Sequence, residues 1–381
     1  SAPDQRFPLA RRELEGAPPP NSPRGQRLPL ARTEVVSRVS PAPDADTGAP
    51  TERPEGPAVV RVGIDENGLG PRLGPLIVTA VTARTHGEGH RLSEHRPRGA
   101  VTKRLGDSKG LVSDGDSALG EGWARALARR TGRGAAATNP DRLVHALSLD
   151  EQQELRRGCP DDHLMQCWNT TAETFTADAT LVDTIGADLA KLGVRGLDVL
   201  DVRVAIVCTE RLNSNIERGL SRFVSDLHAM ERLALAAREQ AGEEIAVTCG
   251  KVGGYDRYTD AFGPLSGRLC TTLCEGRARS EYRIAGLGRI AFVRDADEGH
   301  TLVCMASLVG KWVRDLLMTR VTRYHRAHDP DLPEASGYHD PVTARFVSMS
   351  ALARKQRGVA DRCFERRSLP PPAQGAQDAL E

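Results

Sequence analysis

Gly63-Ile64-Asp65-Glu66-Asn67-Gly68-Leu69-Gly70-Pro71-Arg72-Leu73-Gly74-Pro75 decides how the rest of this chain is read. An apolar run (Val59, Val60, Val62, Ile64) ends in two neighbouring carboxylates. Glycines and prolines crowd the residues that follow, and a second apolar run begins at Leu76-Ile77-Val78-Thr79-Ala80-Val81. The pattern predicts strand, acidic corner, tight glycine turn, strand. A buried strand that ends in two acids calls for a positive charge beside them, and a hard divalent cation such as Mg²⁺ takes carboxylate oxygens. Gly68, Gly70 and Gly74 permit close backbone approach, and loops of this kind offer N–H groups to a phosphate. The plainer alternative is a surface hairpin whose acids face water.

Composition narrows the classes. The chain has 381 residues, enough for a large core or two domains. Its 52 basic and 51 acidic residues nearly cancel, so any nucleic-acid groove must be local. Aromatics make up 4%, too few to suggest a broad base-stacking platform. No apolar run reaches the roughly 18 residues of a membrane helix, and the N-terminus lacks a signal-peptide pattern, so the expected location is cytoplasmic. Eight cysteines include no Cys-x-x-Cys pair. They read as small buried hydrophobes in a reducing compartment.

Residues 1–57 hold 12 of the 24 prolines and are predicted to be a disordered Pro/Arg-rich tail. Within them Arg6-Phe7-Pro8-Leu9-Ala10-Arg11 is echoed by Arg27-Leu28-Pro29-Leu30-Ala31-Arg32, either compositional drift or a duplicated docking peptide. The folded domain is expected over 58–366, with a disordered tail at 367–381. A hairpin is predicted at 58–83, a basic connector at 95–111, a mostly helical stretch at 117–195, and a strand at 199–208. One long amphipathic helix is predicted over 214–241, from the spacing of Ile216, Leu220, Phe223, Leu227 and Met230. A strand at 245–249 is followed by a Gly253-Gly254 turn and a helix near Asp256. Strands at 279–285 and 288–294 precede a strong helix from Leu302 to Tyr324. Strands interleaved with helices make an α/β domain.

Acids then mark three strand ends: Asp65-Glu66, the 250–260 segment, and Asp295/Asp297. Convergent carboxylates of this kind build two-metal phosphodiester sites. Here the sequence resembles the type 2 ribonucleases H (ribonuclease HII). The 63–75 stretch is similar to that family's first motif, and Asp107-Ser108-Lys109 to its Asp-Ser-Lys motif. Ala296-Asp297 with Ser307, Lys311, Arg314 and Asp315 resembles its Ala-Asp…Ala-Ser-x-x-x-Lys-x-x-Arg-Asp segment. Ser336-Gly337-Tyr338 is similar to its downstream Gly-Tyr motif. The resemblance spans about 60–345 and is interrupted by a helical insertion at about 112–195.

The resemblance implies a ribonuclease H-like α/β fold, a mixed central sheet flanked by helices. It implies Mg²⁺- or Mn²⁺-dependent endonuclease hydrolysis of the RNA strand in RNA–DNA hybrids, or of DNA containing ribonucleotides. Asp65, Glu66 and Asp297 would be catalytic and metal-binding. Gly68 and Gly70 would line the loop that reads the strand. Lys109, Ser307 and Lys311 would lie near the phosphates, and Tyr338 would stack on a sugar. Two positions depart from the family. Leu69 replaces a loop arginine, and Gly250 occupies the place of the third carboxylate. Asp256, Asp260, Asp295 or a water would then have to complete the set. The alternative function is a catalytically impaired relative that binds nucleic acid without cleaving it. The sequence names no protein partner.

Overall fold

The computed structural model describes residues 56–106, 108–112, 117–159, 164–252 and 255–368, less the side chains of Lys109 and Leu164. The N-terminal repeat, Asp107, the Gly253-Gly254 turn and the last 13 residues lie outside the described residues. Those described belong to one compact unit, Arg53–Glu381.

Seven strands form one mixed sheet in the order β3-β2-β1-β4-β7-β6-β5. They are β1 (Val59–Asn67), β2 (Leu76–Thr85), β3 (Leu197–Val207), β4 (Ile245–Gly250), β5 (Cys270–Cys274), β6 (Arg279–Ile284) and β7 (Gly288–Val293). β1 pairs antiparallel with β2 and parallel with β4, and β4 pairs parallel with β7. β1 is therefore where the chain leaves to one side as a hairpin and returns on the other by a long crossover. Ligands of open α/β sheets bind beyond the strand ends at such a reversal. The fold class read from the sequence, a mixed sheet flanked by helices, is the one observed.

Each face of β1 is set by its residue alternation. Val60, Val62 and Ile64 join the core under helix α9 (Arg222–Ala241), with Leu227, Met230 and Leu233. On the other face lies helix α11 (Thr301–Arg326). A Cβ at Gly63 would come within 2.5 Å of the Leu302 backbone carbon and the Val303 nitrogen, so only glycine admits α11 there.

Between β2 and β3 run α1 (Glu88–Glu94), α2 (Ser108–Leu111), α3 (Ala118–Thr131), α4 (Pro140–Leu147), α5 (Gln152–Arg156), α6 (Leu164–Trp168) and α7 (Ala179–Val194). Trp123, Leu127, Leu143 and Ile185 of this stretch pack with β3 and α11. Arg320 of α11 is fully buried and holds Glu173 with Nε at 2.8 Å and Nη2 at 2.7 Å, while Nη2 also reaches Asp141 at 3.1 Å. A buried, forked guanidinium–carboxylate pair fixes geometry more firmly than an exposed one.

Three elements differ from expectation. The helix predicted over 214–241 is two, α8 (Thr209–Glu217) and α9. Gly219 adopts φ +81° and Ser221 caps α9 by accepting from the Val224 N–H, so the chain turns between them. The helix predicted near Asp256 is a single 3₁₀ turn, Thr259–Ala261. Tyr255 stacks on Phe223 and Tyr258 on Phe292, with ring centroids at 3.7 and 3.8 Å, which pins the segment across the core instead of letting it coil. Finally, α12 (Pro341–Gln356) and α13 (Asp361–Phe364) extend regular structure toward the C-terminus.

Candidate active site

Asp65 ends β1 and is 5% exposed, so its carboxylate has been withdrawn from bulk water. Glu66 follows it, half-buried. The β1–β4 register pairs Ile64 with Cys249, which sets Gly250 opposite Asp65 one step on. A Cβ at Gly250 would lie 3.1 Å from Asp65 Oδ1 and 3.4 Å from Glu66 Oε2. Oxygens of both acids thus border one point at the β4 end.

Asp297 comes from α10 (Ala296–Gly299), introduced by Asp295 in the left-handed region at φ 54°. The thiol of Cys304, one turn into α11, lies 3.0 Å from the Asp297 carbonyl oxygen. Burial pushes that thiol up to about 12, and the charges of Asp297 and Asp65 add to the effect. Asp65 and Asp297 therefore both act on one buried sulfur.

None of the suggested substitutes for the third acid takes its place. Asp256 pairs with Lys251 at 2.9 Å, Asp295 is exposed beside Arg294, and Asp260 is exposed in its 3₁₀ turn. A different acid stands nearby. Asp226, on α9, is fully buried, and neither carboxylate oxygen has a hydrogen-bond partner among the described residues. Burial, and then the charge of Asp65, raise it well above the usual carboxylate range. It is held neutral, as an unpaired acid in an apolar setting must be. No sequence signal marks it, because an Asp at a helical core position looks like any surface Asp.

The glycine loop is built from the far end of the chain. Gly68 has φ +88° and Gly74 φ +82°. Buried Arg366 donates Nη1 to the Gly68 carbonyl at 2.6 Å and Nε to the Gly74 carbonyl at 2.7 Å. Desolvation pushes its guanidinium down to about 9. Against Gly68 lies Arg314, whose Cδ and Nε would be 2.8 Å from a Cβ there. Arg314 donates Nη2 to the Ser336 carbonyl at 2.9 Å and stacks over Tyr338 at 4.3 Å. Gly70 faces open space, with no neighbour within 4 Å of where a Cβ would stand, and Leu69 packs partly into the α9-side core.

The remaining predicted residues fall into two groups. Ser307 is buried and shares a 2.9 Å hydrogen bond with Ser108 of α2, so it braces the Asp-Ser-Lys segment against α11. Lys109 belongs to the same short helix. Lys311, one turn beyond Ser307, is paired with Asp315 at 3.0 Å. It lines a cleft of about 950 Å³ together with Arg314, Asp315 and exposed Tyr338. Glu121 and Glu173, from the helical stretch between β2 and β3, line the same cleft.

Carboxylate oxygens are the donors a hard divalent cation takes. Asp65 and Glu66 fit such an ion as a pair, and Asp297 shares with Asp65 the surroundings of Cys304. Gly250 contributes no side-chain oxygen. Among the described residues no group of three or more His, Cys, Asp or Glu side chains already stands in metal-holding geometry.

No family model matches the chain, and no curated protein matches it. Solved structures similar to it are ribonucleases HII and HIII. Bst-RNase HIII in complex with Mn²⁺ is 12% identical with a TM-score of 0.40, covering 81% of this chain and 66% of its own. The RNase HII of a PCNA:RNase HII complex from Archaeoglobus fulgidus is 17% identical with a TM-score of 0.34, covering 84% and 100%. Ribonuclease H2 from Pyrococcus horikoshii OT3 is 13% identical with a TM-score of 0.32, covering 80% and 92%. The chain spans just under two thirds of the length of the Bst protein.

Proposed function

We propose that this chain is a ribonuclease H-type endonuclease that hydrolyses the RNA strand of RNA–DNA hybrids, or DNA containing ribonucleotides. The observation that carries the reading is the meeting of Asp65 Oδ1 and Glu66 Oε2 at the place where Gly250 lacks a Cβ, beside the motif-bearing glycine loop. Asp65, Glu66 and Asp297 would hold Mg²⁺ or Mn²⁺. When bound, such an ion activates water and offsets charge developing on the scissile phosphate. The chain's own part is to place the substrate. The backbone at 68–70, locked by Arg366, meets the sugar-phosphate strand, Lys311 faces phosphate along α11, and Tyr338, backed by Arg314, offers a flat face to a sugar.

The test is incubation of the full chain with a labelled hybrid and Mg²⁺ or Mn²⁺. Cleavage that disappears in Asp297→Asn supports the reading. A second reading rests on Gly250: with one carboxylate fewer, the fold holds hybrid without cutting it. No cleavage together with binding that weakens steeply with salt selects this second reading. Neither cleavage nor binding rejects both.

A further inference from the structure

Four of the eight cysteines meet at one place. Cys208 caps the N-terminus of α8. Gly158, beside Cys159, abuts the first turn of α8, where a Cβ would lie 2.5 Å from Glu210 Oε2. Gln166, beside Cys167, donates Nε2 to the Cys363 carbonyl at 3.4 Å. Asn213 of α8 donates Nδ2 to the carbonyls of Arg362 and Glu365, on either side of Cys363, at 2.8 Å each. Each of the four thiols lies within electrostatic reach of the other three.

We propose that Cys159, Cys167, Cys208 and Cys363 form a structural site for a soft divalent ion, zinc, at the junction of α6, α8 and α13. Packing alone needs only small apolar side chains here, and sulfur is not required for that. Four thiols drawn from four segments match the donor set and number that zinc takes. The surroundings suit the charge. A four-thiolate zinc centre is a dianion, and Arg156, Arg211 and Arg362 act on these thiols, opposed by Glu210. The N-terminus of α8 adds its own positive end.

Without an ion the thiols are protonated, since burial pushes Cys167 up to about 12 and Cys363 up to about 11. Binding therefore exchanges four S–H bonds for four Zn–S bonds and releases four protons, with no change of oxidation state. No three of the side chains already stand in coordination geometry among the described residues, so the sulfurs must swing inward by rotation about χ1. The ion would tie the helical stretch between β2 and β3 to α13. Three residues past Cys363 is Arg366, which grips the glycine loop. The staple would thus stiffen the candidate active site from a distance, and it stands whether or not the chain cleaves RNA.

The full chain, kept reduced, is titrated with Co²⁺ and then Zn²⁺. The expected result is one equivalent of cobalt with the absorption of tetrahedral thiolate coordination, displaced by zinc. Cys363→Ser and Cys167→Ser should each weaken binding by about tenfold or more, as loss of one ligand does, while Asp297→Asn leaves the spectrum unchanged. Wild type should also melt at a higher temperature with zinc than with chelator, and the double variant should not. No thiolate band, a band undiminished in the double variant, or a band lost in Asp297→Asn overturns the proposal.

Discussion

Arg366 donates to the carbonyl of Gly68 across 298 residues of chain, at 2.6 Å, and the same side chain holds the Gly74 carbonyl at 2.7 Å. The loop that begins the candidate site is thus closed by the segment that ends the fold. The contact is buried and one-sided in charge, with Arg222 and Arg314 nearby, and it costs Arg366 part of its usual basicity.

Arg366→Ala should free both carbonyls and lower stability by about 2 kcal/mol, the range for charged hydrogen bonds in a buried site. Arg366→Lys should recover less than half, because a single ammonium cannot reproduce the fork. Urea melts of the three proteins decide this, and an unchanged midpoint in the alanine variant would remove Arg366 from the loop's support.

Gly250→Asp brings a third carboxylate against Asp65 and Glu66, whose oxygens are 3.1 and 3.4 Å from the new Cβ. Like charges repel in a half-desolvated site. The variant should therefore melt lower than wild type in chelator and gain more from added Mn²⁺. Equal gains in the two proteins would show that the acids at this strand end do not share an ion.

Gly63→Ala meets the backbone of α11 at 2.5 Å, where no side chain can give way. The sheet and its longest helix would have to separate, at a cost of about 3 kcal/mol or more. Circular dichroism and denaturant melts read the loss. A variant as stable as wild type would mean that α11 sits farther from β1.

Tyr338→Ala should weaken binding of an RNA–DNA hybrid by about 1–3 kcal/mol, the range for loss of one stacking aromatic. Tyr338→Phe should keep most of the affinity. The exposed ring stands over Arg314, so fluorescence anisotropy with both variants separates ring stacking from the hydroxyl. Equal affinity in all three proteins would take Tyr338 out of the substrate path.

His325 is buried between α11 and α6, with Nε2 2.8 Å from Gln166 Oε1, and desolvation lowers it from 6.5 to about 4. Arg354, Arg357 and His328 push the same way. The unfolded chain then binds more protons between about pH 4 and 6.5, so stability falls as pH drops through that window. His325→Leu should flatten the acid side of the stability curve by about 2–3 kcal/mol relative to wild type. Parallel curves would place the acid sensitivity elsewhere.

Local pattern carries much of the architecture. The alternation of Val60, Val62 and Ile64 marks β1, and the stripe through Leu302, Met305, Val309, Trp312 and Val313 marks α11. Where local pattern misleads, a non-local contact has the final say. Strand β5 escapes a reading by alternation because Cys270–Cys274 lies largely exposed on the sheet edge, with no buried face to impose a period. The 214–241 stretch keeps its helical spacing across Gly219, but Ser221 takes a capping role that spacing does not reveal.

The sequence by itself determined the elements and the acids at their ends, because periodicity and turn chemistry act between near neighbours. Only the tertiary structure decided that Asp65 and Glu66 share a point with Gly250, that Asp226 lies buried without a hydrogen-bond partner among the described residues, and that Arg366 and four scattered cysteines reach their places. Those relations depend on how distant segments pack, and packing distances are not written in residue order.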